Sequence, residues 1–257
     1  MDLGIAGRTA LVCSSTGGLG RAIAEQLAAE GARTVVCGRR EAQAKEIAAG
    51  LPSAVGVGVD LLAEDGPTKL FEATVEAFSA PDILVINGPG PAPGPAAGVD
   101  VAAVDAAFDA LVRQHIRLLA YVLPVMRARH WGRVVAVGSS GVAAPLPNLA
   151  LSNLGRAALA GYLKTLAAEV AADGVTVNMV LPGRIETDRT AAVDAANAKR
   201  TGRTLAEVRE ASAATIPMRR YGRPAEFAAA AAFLCGASAS YVTGTLLRCD
   251  GGLVQSL

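Results

Sequence analysis

Ser14-Ser15-Thr16-Gly17-Gly18-Leu19-Gly20 follows an apolar, β-branched run at residues 9–13 and leads directly into Arg21-Ala22-Ile23-Ala24, which has helix-forming composition. The small side chains of this turn allow backbone N–H groups to approach a phosphate, and the positive end of the following helix faces the same point. A glycine-rich turn alone is also compatible with a simple tight connection. A strand before it and a helix after it favour a cradle for the pyrophosphate of a dinucleotide.

The rest of the chain repeats this alternation of short apolar runs and alanine-rich helical runs. Such alternation is typical of βαβ units with a parallel sheet, and nearly all-apolar strands indicate a sheet covered by helices on both faces. No linker or repeat divides the chain, so we expect one domain over residues 1–257. The predicted strands lie at residues 9–13, 34–37, 54–59, 83–86, 133–137, 176–181 and 245–248, and the predicted helices include 21–29, 68–77, 156–172 and 224–234.

Two segments depart from the alternation. Residues 88–98 are rich in proline and glycine and follow a strand, so we expect a long loop over the edge of the sheet. Residues 186–217 form a polar, helix-prone insertion after the sixth predicted strand. Because ligands on open α/β sheets bind outside the carboxyl ends of the strands, this insertion is predicted to be a substrate lid.

The composition argues against several functional classes. Hydrophobic residues make up 52% of the 257 residues and charged residues 18%, which is typical of a folded domain with a large core. The net charge of +1, without a basic stripe, argues against nucleic acid as a partner. The first residues lack the features of a signal peptide, and Arg156 and Lys164 interrupt the most apolar late segment, so no membrane association is expected.

The four cysteines are scattered, and each lies beside apolar residues: Cys13, Cys37, Cys235 and Cys249. Their spacing does not resemble that of a metal site. We therefore predict buried, reduced thiols, no metal and a cytoplasmic protein. Cys13 adjoins the cofactor turn, where a reactive thiol is the alternative to a structural one.

Residues after the second and third strands bear on the kind of dinucleotide. The second strand ends in Gly38-Arg39-Arg40, without an acidic residue to bind an adenosine ribose, and two guanidiniums suit a 2′-phosphate. This predicts NADP(H), with a solvated helix start as the alternative role of Arg39 and Arg40. Asp60-Leu61 at the end of the third strand is predicted to contact the adenine, unless Asp60 caps the following helix.

Further motifs identify a family. Besides the glycine turn they are Asp82-Ile83-Leu84-Val85-Ile86-Asn87-Gly88, Gly138-Ser139-Ser140-Gly141, Asn178-Met179-Val180-Leu181-Pro182-Gly183, Tyr221-Gly222-Arg223-Pro224, Tyr241-Val242-Thr243-Gly244 and Asp250-Gly251-Gly252. With them the chain resembles the short-chain dehydrogenase/reductase superfamily from end to end, and it looks closest to 3-oxoacyl-(acyl-carrier-protein) reductases. The resemblance implies a Rossmann-type, doubly wound parallel sheet of about seven strands, a small-molecule carbonyl substrate, and a homotetramer or homodimer.

The resemblance also assigns residues. Ser139 falls on the family's catalytic serine, although a local shift of the turn would place Ser140 inward instead, and both could merely close the turn. Ile185 and Thr187 fall where the family contacts the carboxamide and the phosphates. The expected cofactor-binding residues are Ser14, Ser15, Thr16, Gly18, Leu19, Gly20, Arg39, Arg40, Asp60, Leu61, Asn87, Gly88, Arg156, Pro182, Gly183, Ile185 and Thr187.

The largest departure from the family lies in Leu151-Ser152-Asn153-Leu154-Gly155-Arg156. Ser152 stands where the family has its catalytic tyrosine and Arg156 where it has its lysine, four residues apart on one helix face. A serine hydroxyl is a much poorer acid than a phenol, and a guanidinium does not release its proton. Arg156 is instead predicted to hold ribose hydroxyls and to stabilise a developing alkoxide, with Ser139 and Ser152 as hydrogen-bond donors.

These departures leave three functional hypotheses. The family's active-site asparagine has no clear counterpart, because Gln114-His115-Ile116-Arg117 occupies its neighbourhood; His115 is either a titratable candidate or an ordinary helix histidine. Loss of a positioned general acid typically lowers a rate by roughly 10²–10⁴, which is compatible with a slow reductase. We therefore expect an NADP(H)-dependent carbonyl reductase with an atypical active site. The alternatives are a non-redox enzyme (isomerase, dehydratase or cyclase) and a catalytically silent NADP-binding protein.

Overall fold

The computed structural model describes residues 2–256, which form a parallel sheet with helices on both faces. The strands are β1 (Thr9–Val12), β2 (Arg33–Gly38), β3 (Ala54–Gly58), β4 (Ile83–Ile86), β5 (Gly132–Val137), β6 (Val175–Pro182) and β7 (Leu246–Cys249). Their order in the sheet is β3-β2-β1-β4-β5-β6-β7, and every neighbouring pair is parallel. The order reverses between β1 and β4, which opens a crevice at the carboxyl ends of these strands. The predicted Rossmann-type fold with seven strands is thus confirmed.

The helices follow the strands in the expected alternation. They are α1 (Gly18–Ala29), α2 (Glu41–Ala49), α3 (Gly66–Ala77), α4 (Val101–Phe108), α5 (Gln114–Ala128), α6 (Ala150–Val170), α7 (Asp188–Thr201), α8 (Leu205–Ala214) and α9 (Pro224–Cys235). A π-helical turn, Asp109–Arg113, joins α4 directly to α5. The insertion at residues 186–217 contains the helix pair α7 and α8.

Two apolar clusters, one on each face of the sheet, hold the helices in place. Along β1 the side chains alternate between them, since Leu11 lies in one cluster and Val12 in the other. The first cluster includes Leu118 of α5 and Leu163 of α6, and the second includes Ile23 of α1. Because both faces are covered, the central strands have no polar face, which explains their nearly continuous apolar sequence.

Helix α6 begins at Ala150, six residues before the predicted start at residue 156. Gly155, directly before the predicted start, lies inside the helix and is buried. A Cβ atom at this position would lie 2.7 Å from Cδ1 of Leu111, so only glycine allows α6 to approach the π-helical turn this closely. The glycine therefore reflects tertiary packing rather than a break in the helix.

Candidate functional site

The turn after β1 forms the expected cradle. Helix α1 begins at Gly18, whose φ of +54° favours glycine, and the neighbouring Gly17 is exposed. A Cβ atom on Gly20 would lie 2.4 Å from the Ser14 carbonyl oxygen and 2.7 Å from Nδ2 of Asn87. Asn87 in turn donates a hydrogen bond of 3.1 Å to that carbonyl, which fixes the turn against the end of β4. The open N-terminus of α1 is therefore presented to the crevice, as a dinucleotide pyrophosphate requires.

Ser15 has a structural role in the cradle. It is fully buried; its hydroxyl donates to the Val12 carbonyl at 2.7 Å and accepts from the Cys37 N–H at 2.9 Å. Its own N–H donates to the Cys37 carbonyl. Because both groups are already used to join β1 to β2, they are not available to a phosphate, and the expected contact through Ser15 is corrected. Thr16 lies over the end of β2, where a Cβ atom on Gly38 would be 2.8 Å from its hydroxyl oxygen.

The end of β2 presents two cations. Arg39 and Arg40 are both exposed, and within residues 2–256 neither has an acidic partner within ion-pair distance. The next acid in sequence, Glu41, pairs with Lys45 at 2.5 Å. Both guanidiniums are thus accessible to an anion such as the predicted 2′-phosphate.

The end of β3 differs in part from the prediction. Asp60 is exposed and accepts a hydrogen bond of 3.0 Å from the Leu62 N–H. Since α3 begins only at Gly66, Asp60 stabilises a turn, and its interpretation as a helix cap is wrong. Leu61 is buried in the apolar core, so its side chain does not face a ligand.

The end of β6 brings the C-terminal motif and α7 to the crevice. Pro182 is the last residue of β6, and a Cβ atom on Gly183 would lie 2.7 Å from Cα of Asp250. Ile185 is buried against Gly222, so its side chain belongs to the core. Thr187 caps α7 by accepting from the Thr190 N–H.

The Thr187 methyl faces the cradle, 3.8 Å from the Cβ position of Gly18. An open groove of about 330 Å³ lies here between α1 and α7. Leu19 is half-buried at the start of α1. Gly88, directly after Asn87, lies against the π-helical turn that joins α4 to α5. A Cβ atom at Gly88 would be 3.3 Å from the Ala110 carbonyl oxygen.

The predicted catalytic residues lie at the ends of β5 and α6. Ser139 follows β5 and is half-buried, and its hydroxyl oxygen accepts a hydrogen bond of 3.0 Å from the Gly141 N–H. Ser140 is buried and begins a short 3₁₀ turn. Arg156 donates from Nη1 to the Val137 carbonyl at 2.7 Å. Val137 is the last residue of β5, so the guanidinium lies at the carboxyl end of this strand, near Ser139 in the chain. Ser152 is half-buried one helical turn before Arg156.

Asn153, which the sequence reasoning did not single out, shapes this part of the site. Its amide accepts from the Leu146 N–H at 3.3 Å and donates to the Leu146 carbonyl at 2.9 Å. It therefore holds the loop at residues 143–149 against the start of α6. The sequence signal that could have identified Asn153 is its position directly after Ser152.

The buried groups of the site are electrostatically unusual. Burial, with a smaller contribution from the charge of Arg189, lowers the pKa of Arg156 to about 10. Burial lowers the pKa of His115 to about 3, with a further contribution from the charge of Arg156. Nδ1 of His115 is buried without a hydrogen-bond partner, and Nε2 lies 3.4 Å from the Cβ position of Gly88. His115 is thus neutral at physiological pH and cannot act as an imidazolium acid.

A residue of the 186–217 insertion that the sequence reasoning missed contacts the loop after β4. Arg189 on α7 donates from Nη2 to the Pro91 carbonyl at 2.7 Å, which joins the 186–217 insertion to the 88–98 loop. The insertion is anchored by Asp194, which is fully buried. Asp194 pairs with Arg184 at 2.5 Å and accepts a hydrogen bond of 2.9 Å from the Tyr221 hydroxyl. Nothing in the local sequence of Arg189 distinguished it from the other arginines of the insertion.

The described part of the chain has neither a metal-binding cluster nor a membrane-spanning helix. Residues 2–256 hold no group of three or more histidine, cysteine, aspartate or glutamate side chains arranged to bind a metal ion. Nor does any helix in this range combine the length and apolar character needed to cross a bilayer.

Comparisons with known proteins agree with this geometry. A family profile described as Enoyl-(Acyl carrier protein) reductase matches residues 14–254. The chain is 32% identical over 260 residues to the 3-oxoacyl-(acyl-carrier-protein) reductase FabG of Aquifex aeolicus, covering 98% of this chain and 100% of that protein. It is 34% identical over 255 residues to the FabG reductase of Salmonella typhimurium, covering 96% and 97%.

A solved structure extends the likeness to three dimensions. The L-sorbose reductase of Gluconobacter frateurii, complexed with NADPH and L-sorbose, superposes with a TM-score of 0.94 at 31% identity, and 100% of each chain is covered. The sheet order, the glycine cradle and these matches lead to one conclusion: the chain belongs to the short-chain dehydrogenase/reductase superfamily.

Proposed function

We propose that this protein is an NADP(H)-dependent carbonyl reductase with an atypical active site. One observation carries the proposal: the glycine cradle after β1 and the Ser139–Arg156 region after β5 lie at the same carboxyl edge of one sheet. Bound NADPH supplies a hydride to the carbonyl carbon of the substrate. The relatives described above are reductases, and one of them was solved with NADPH.

The cradle and its neighbours fit such a cofactor. The free N–H groups at the start of α1 bind the pyrophosphate, and Thr187 closes the groove on the other side. Arg39 and Arg40 bind the 2′-phosphate, because both are exposed and neither pairs with an acid within residues 2–256. Asn87 keeps the turn in shape through its bond to Ser14.

Arg156 carries the electrostatic part of the reaction. Its guanidinium is held at the Val137 carbonyl and retains further N–H donors for ribose hydroxyls and for the negative charge that develops on the substrate oxygen. Ser139 and Ser152 direct hydroxyls to the same oxygen. A fixed cation in a partly dehydrated site stabilises such charge far better than water does.

Water donates the proton to the product oxygen. His115 is neutral, and burial together with the charge of Glu169 raises the pKa of the Tyr162 phenol, which makes it a poorer acid. A reductase without a positioned acid is expected to be slower by roughly 10²–10⁴ than one that has it. Non-redox chemistry on the same scaffold is the second candidate, favoured by the missing phenol.

Turnover with 4-deuterated NADPH and a panel of 3-oxoacyl thioesters, quinones and cyclic ketones tests the proposal. Deuterium is expected at the carbinol carbon of the product. Arg156→Leu and Ser139→Ala should each lower kcat/KM by roughly 10²–10³, whereas the exposed control Ser238→Ala should not. Absence of deuterium transfer to every compound would contradict the proposal and leave non-redox chemistry or silent cofactor binding.

Cofactor choice has a separate test. The double change Arg39→Gln and Arg40→Gln is expected to weaken NADPH binding by roughly 10²–10⁴-fold while leaving NADH binding nearly unchanged, since each charge-assisted contact contributes about 1.5–3 kcal/mol. Lys45→Gln on α2 is the matched control, because it removes a nearby positive charge that is already paired. Equal loss of both nucleotides would contradict the assignment.

We further propose a cytoplasmic homotetramer, or a homodimer, with residues 186–217 as its lid. Large apolar side chains are exposed on neighbouring helices of one region, namely Val101, Phe108, Tyr121 and Leu154. Contact between subunits would bury such a surface. Sedimentation velocity of the purified protein tests the oligomeric state.

A further inference from the structure

The 88–98 loop is bound to the start of α6 by its backbone. The Gly94 N–H donates to the Asn148 carbonyl at 2.8 Å, and the Gly94 carbonyl accepts from the Ala150 N–H at 3.2 Å. These two hydrogen bonds form a short parallel bridge. Because Ala150 is the first residue of α6, the bridge fixes the loop two residues before Ser152.

The other side of this bridge is itself held in place. The Asn153 amide accepts from the Leu146 N–H at 3.3 Å and donates to the Leu146 carbonyl at 2.9 Å, which fixes the 143–149 loop on α6. A Cβ atom on Gly141 would lie 2.5 Å from Oδ1 of Asn153, so the turn that follows Ser139 packs against the same side chain. The bridge therefore joins the 88–98 loop to a rigid border of the candidate active site.

On its other side the 88–98 loop contacts α7. Nη2 of Arg189 donates to the Pro91 carbonyl at 2.7 Å. Nη2, Cζ and Nε of the same guanidinium lie 3.3, 3.6 and 3.7 Å from the Cβ position of Gly90, so the group covers this residue. Because Arg189 is exposed, the backbone bridge at Gly94 is the firmer of the two attachments. The loop thus spans the gap between the start of α6 and α7.

The composition of the loop makes it stiff. Four of the seven residues at positions 89–95 are prolines, and each of them has a fixed φ and lacks an N–H. The half-buried residues of this stretch are the three that make the contacts, namely Gly90, Pro91 and Gly94. A segment with so few free dihedral angles, attached at two points, resists displacement by a bulky ligand.

The position of the cofactor restricts where the substrate can extend. The groove between α1 and α7 is assigned to the dinucleotide. A ketone whose oxygen faces Ser139 and Arg156 therefore directs its substituents away from that groove, toward the 143–149 loop and the 88–98 loop. A long substituent meets the bridge at Gly94 and has to break its two hydrogen bonds to pass.

From this geometry we infer that the 88–98 loop limits the size of the substrate, so that the protein reduces compact ketones in preference to long-chain acyl ketones. The inference rests on the proposed reductase function and narrows its substrate class. Gly94 is the residue that determines this specificity, because both of its backbone polar groups form the bridge. Substituents of a few carbons fit beneath the bridge without disturbing it.

Gly94 offers a matched pair of variants. A Cβ atom at this position meets nothing within 4 Å, and the φ of Gly94 is not in the left-handed region, so Gly94→Ala adds a methyl group and keeps the bridge. Gly94→Pro removes the N–H that donates to Asn148. Hydrogen exchange followed by mass spectrometry checks the pair: residues 88–98 should exchange faster in Gly94→Pro and at the wild-type rate in Gly94→Ala.

The test measures kcat/KM for the N-acetylcysteamine thioesters of 3-oxobutanoate, 3-oxooctanoate and 3-oxododecanoate. The wild type is expected to reduce the longest ester roughly 10- to 100-fold less efficiently than the shortest, because passage of the chain costs two hydrogen bonds. Gly94→Pro should bring the two values within about threefold, mainly by raising that of the longest ester. Gly94→Ala should retain the wild-type preference.

Two results would overturn the inference. The first is equal or better reduction of the longest ester by the wild type, and the second is an unchanged length preference in Gly94→Pro. If Gly94→Pro does not fold, Ala150→Pro replaces it, since it removes the other hydrogen bond of the bridge at the first position of α6, where proline is well tolerated. The same loss of length preference is then expected.

Calorimetric binding separates this inference from the proposed function. If no ketone accepts deuterium, the reductase proposal fails, and the same three thioesters are titrated into protein saturated with NADP⁺. Tighter binding of the shortest ester, by roughly tenfold or more in the wild type and lost in Gly94→Pro, would still support the size limit. Equal or tighter binding of the longest ester by the wild type, or binding of none of the three, would overturn it.

Discussion

Replacement of His115 by leucine should make the protein less sensitive to acid. The folded state holds this imidazole neutral, with a pKa of about 3, whereas an imidazole in the unfolded chain has a pKa of about 6.5. Below pH 6.5 the unfolded chain therefore binds a proton that the folded protein excludes. The stability contributed by neutral burial is present above pH 6.5 and is lost progressively as the pH falls toward 3.

The two pKa values give the size of the effect. Between pH 7 and pH 5, linkage predicts that His115 alone lowers the free energy of unfolding by about 2 kcal/mol. For a chain of this length, that corresponds to a decrease in Tm of about 4–8 °C. Leucine is a suitable replacement because His115 is buried and makes no side-chain hydrogen bond within residues 2–256.

Urea unfolding followed by circular dichroism, at pH 7 and pH 5 and one protein concentration, measures the difference. The wild type should lose about 2 kcal/mol more than His115→Leu between the two pH values. The chain has only one other histidine, His130, which is exposed, and His130→Asn should behave as the wild type. The same pH dependence in wild type and His115→Leu would refute the neutral, buried state of this residue.

Three further outcomes are expected. The sequence alone predicts that a guanidinium keeps its proton, but burial lowers the pKa of Arg156 to about 10. The kcat/KM of the wild type should therefore be level between pH 6 and 9 and fall above pH 10, and a steep change near pH 8 would indicate another acid. Gly20→Ala should weaken NADPH binding at least about tenfold in a fluorescence titration, because the added methyl group displaces Asn87 and the turn. Asp194→Asn should lower the free energy of urea unfolding by about 2–4 kcal/mol, because it leaves Arg184 without its buried partner, and an unchanged value would contradict that role.

The site was predicted unevenly from the sequence. Gly18, Gly20 and Asn87 were predicted as cofactor-binding residues, and the structure places Gly20 and Asn87 against the Ser14 carbonyl at the start of α1. Ser15 was assigned to the cofactor from its position, but its hydroxyl joins two strand ends. A sequence shows where a polar residue lies along the chain and not whether its hydrogen bonds are already made.

Arg189 illustrates the same limit from the other direction. Nothing in its local sequence separates it from the other arginines of a polar, helix-prone insertion. Its contact becomes visible only when α7 folds back over the 88–98 loop, so that Arg189 donates a hydrogen bond to the Pro91 carbonyl. Residues almost a hundred positions apart contribute to that contact, and neither carries a pattern that predicts the other.

The sequence by itself determined the parallel sheet and the place of the cofactor cradle. Apolar runs that alternate with helical runs, and the small residues of the turn after β1, are features of short stretches of chain and do not depend on distant contacts. It also predicts that Ser152 stands where the family has its catalytic tyrosine. Only the tertiary structure decided that His115 is buried and neutral and that the Arg156 guanidinium lies at the carboxyl end of β5. Burial and the distance between charges depend on which distant elements meet, and these quantities set the electrostatics of the site.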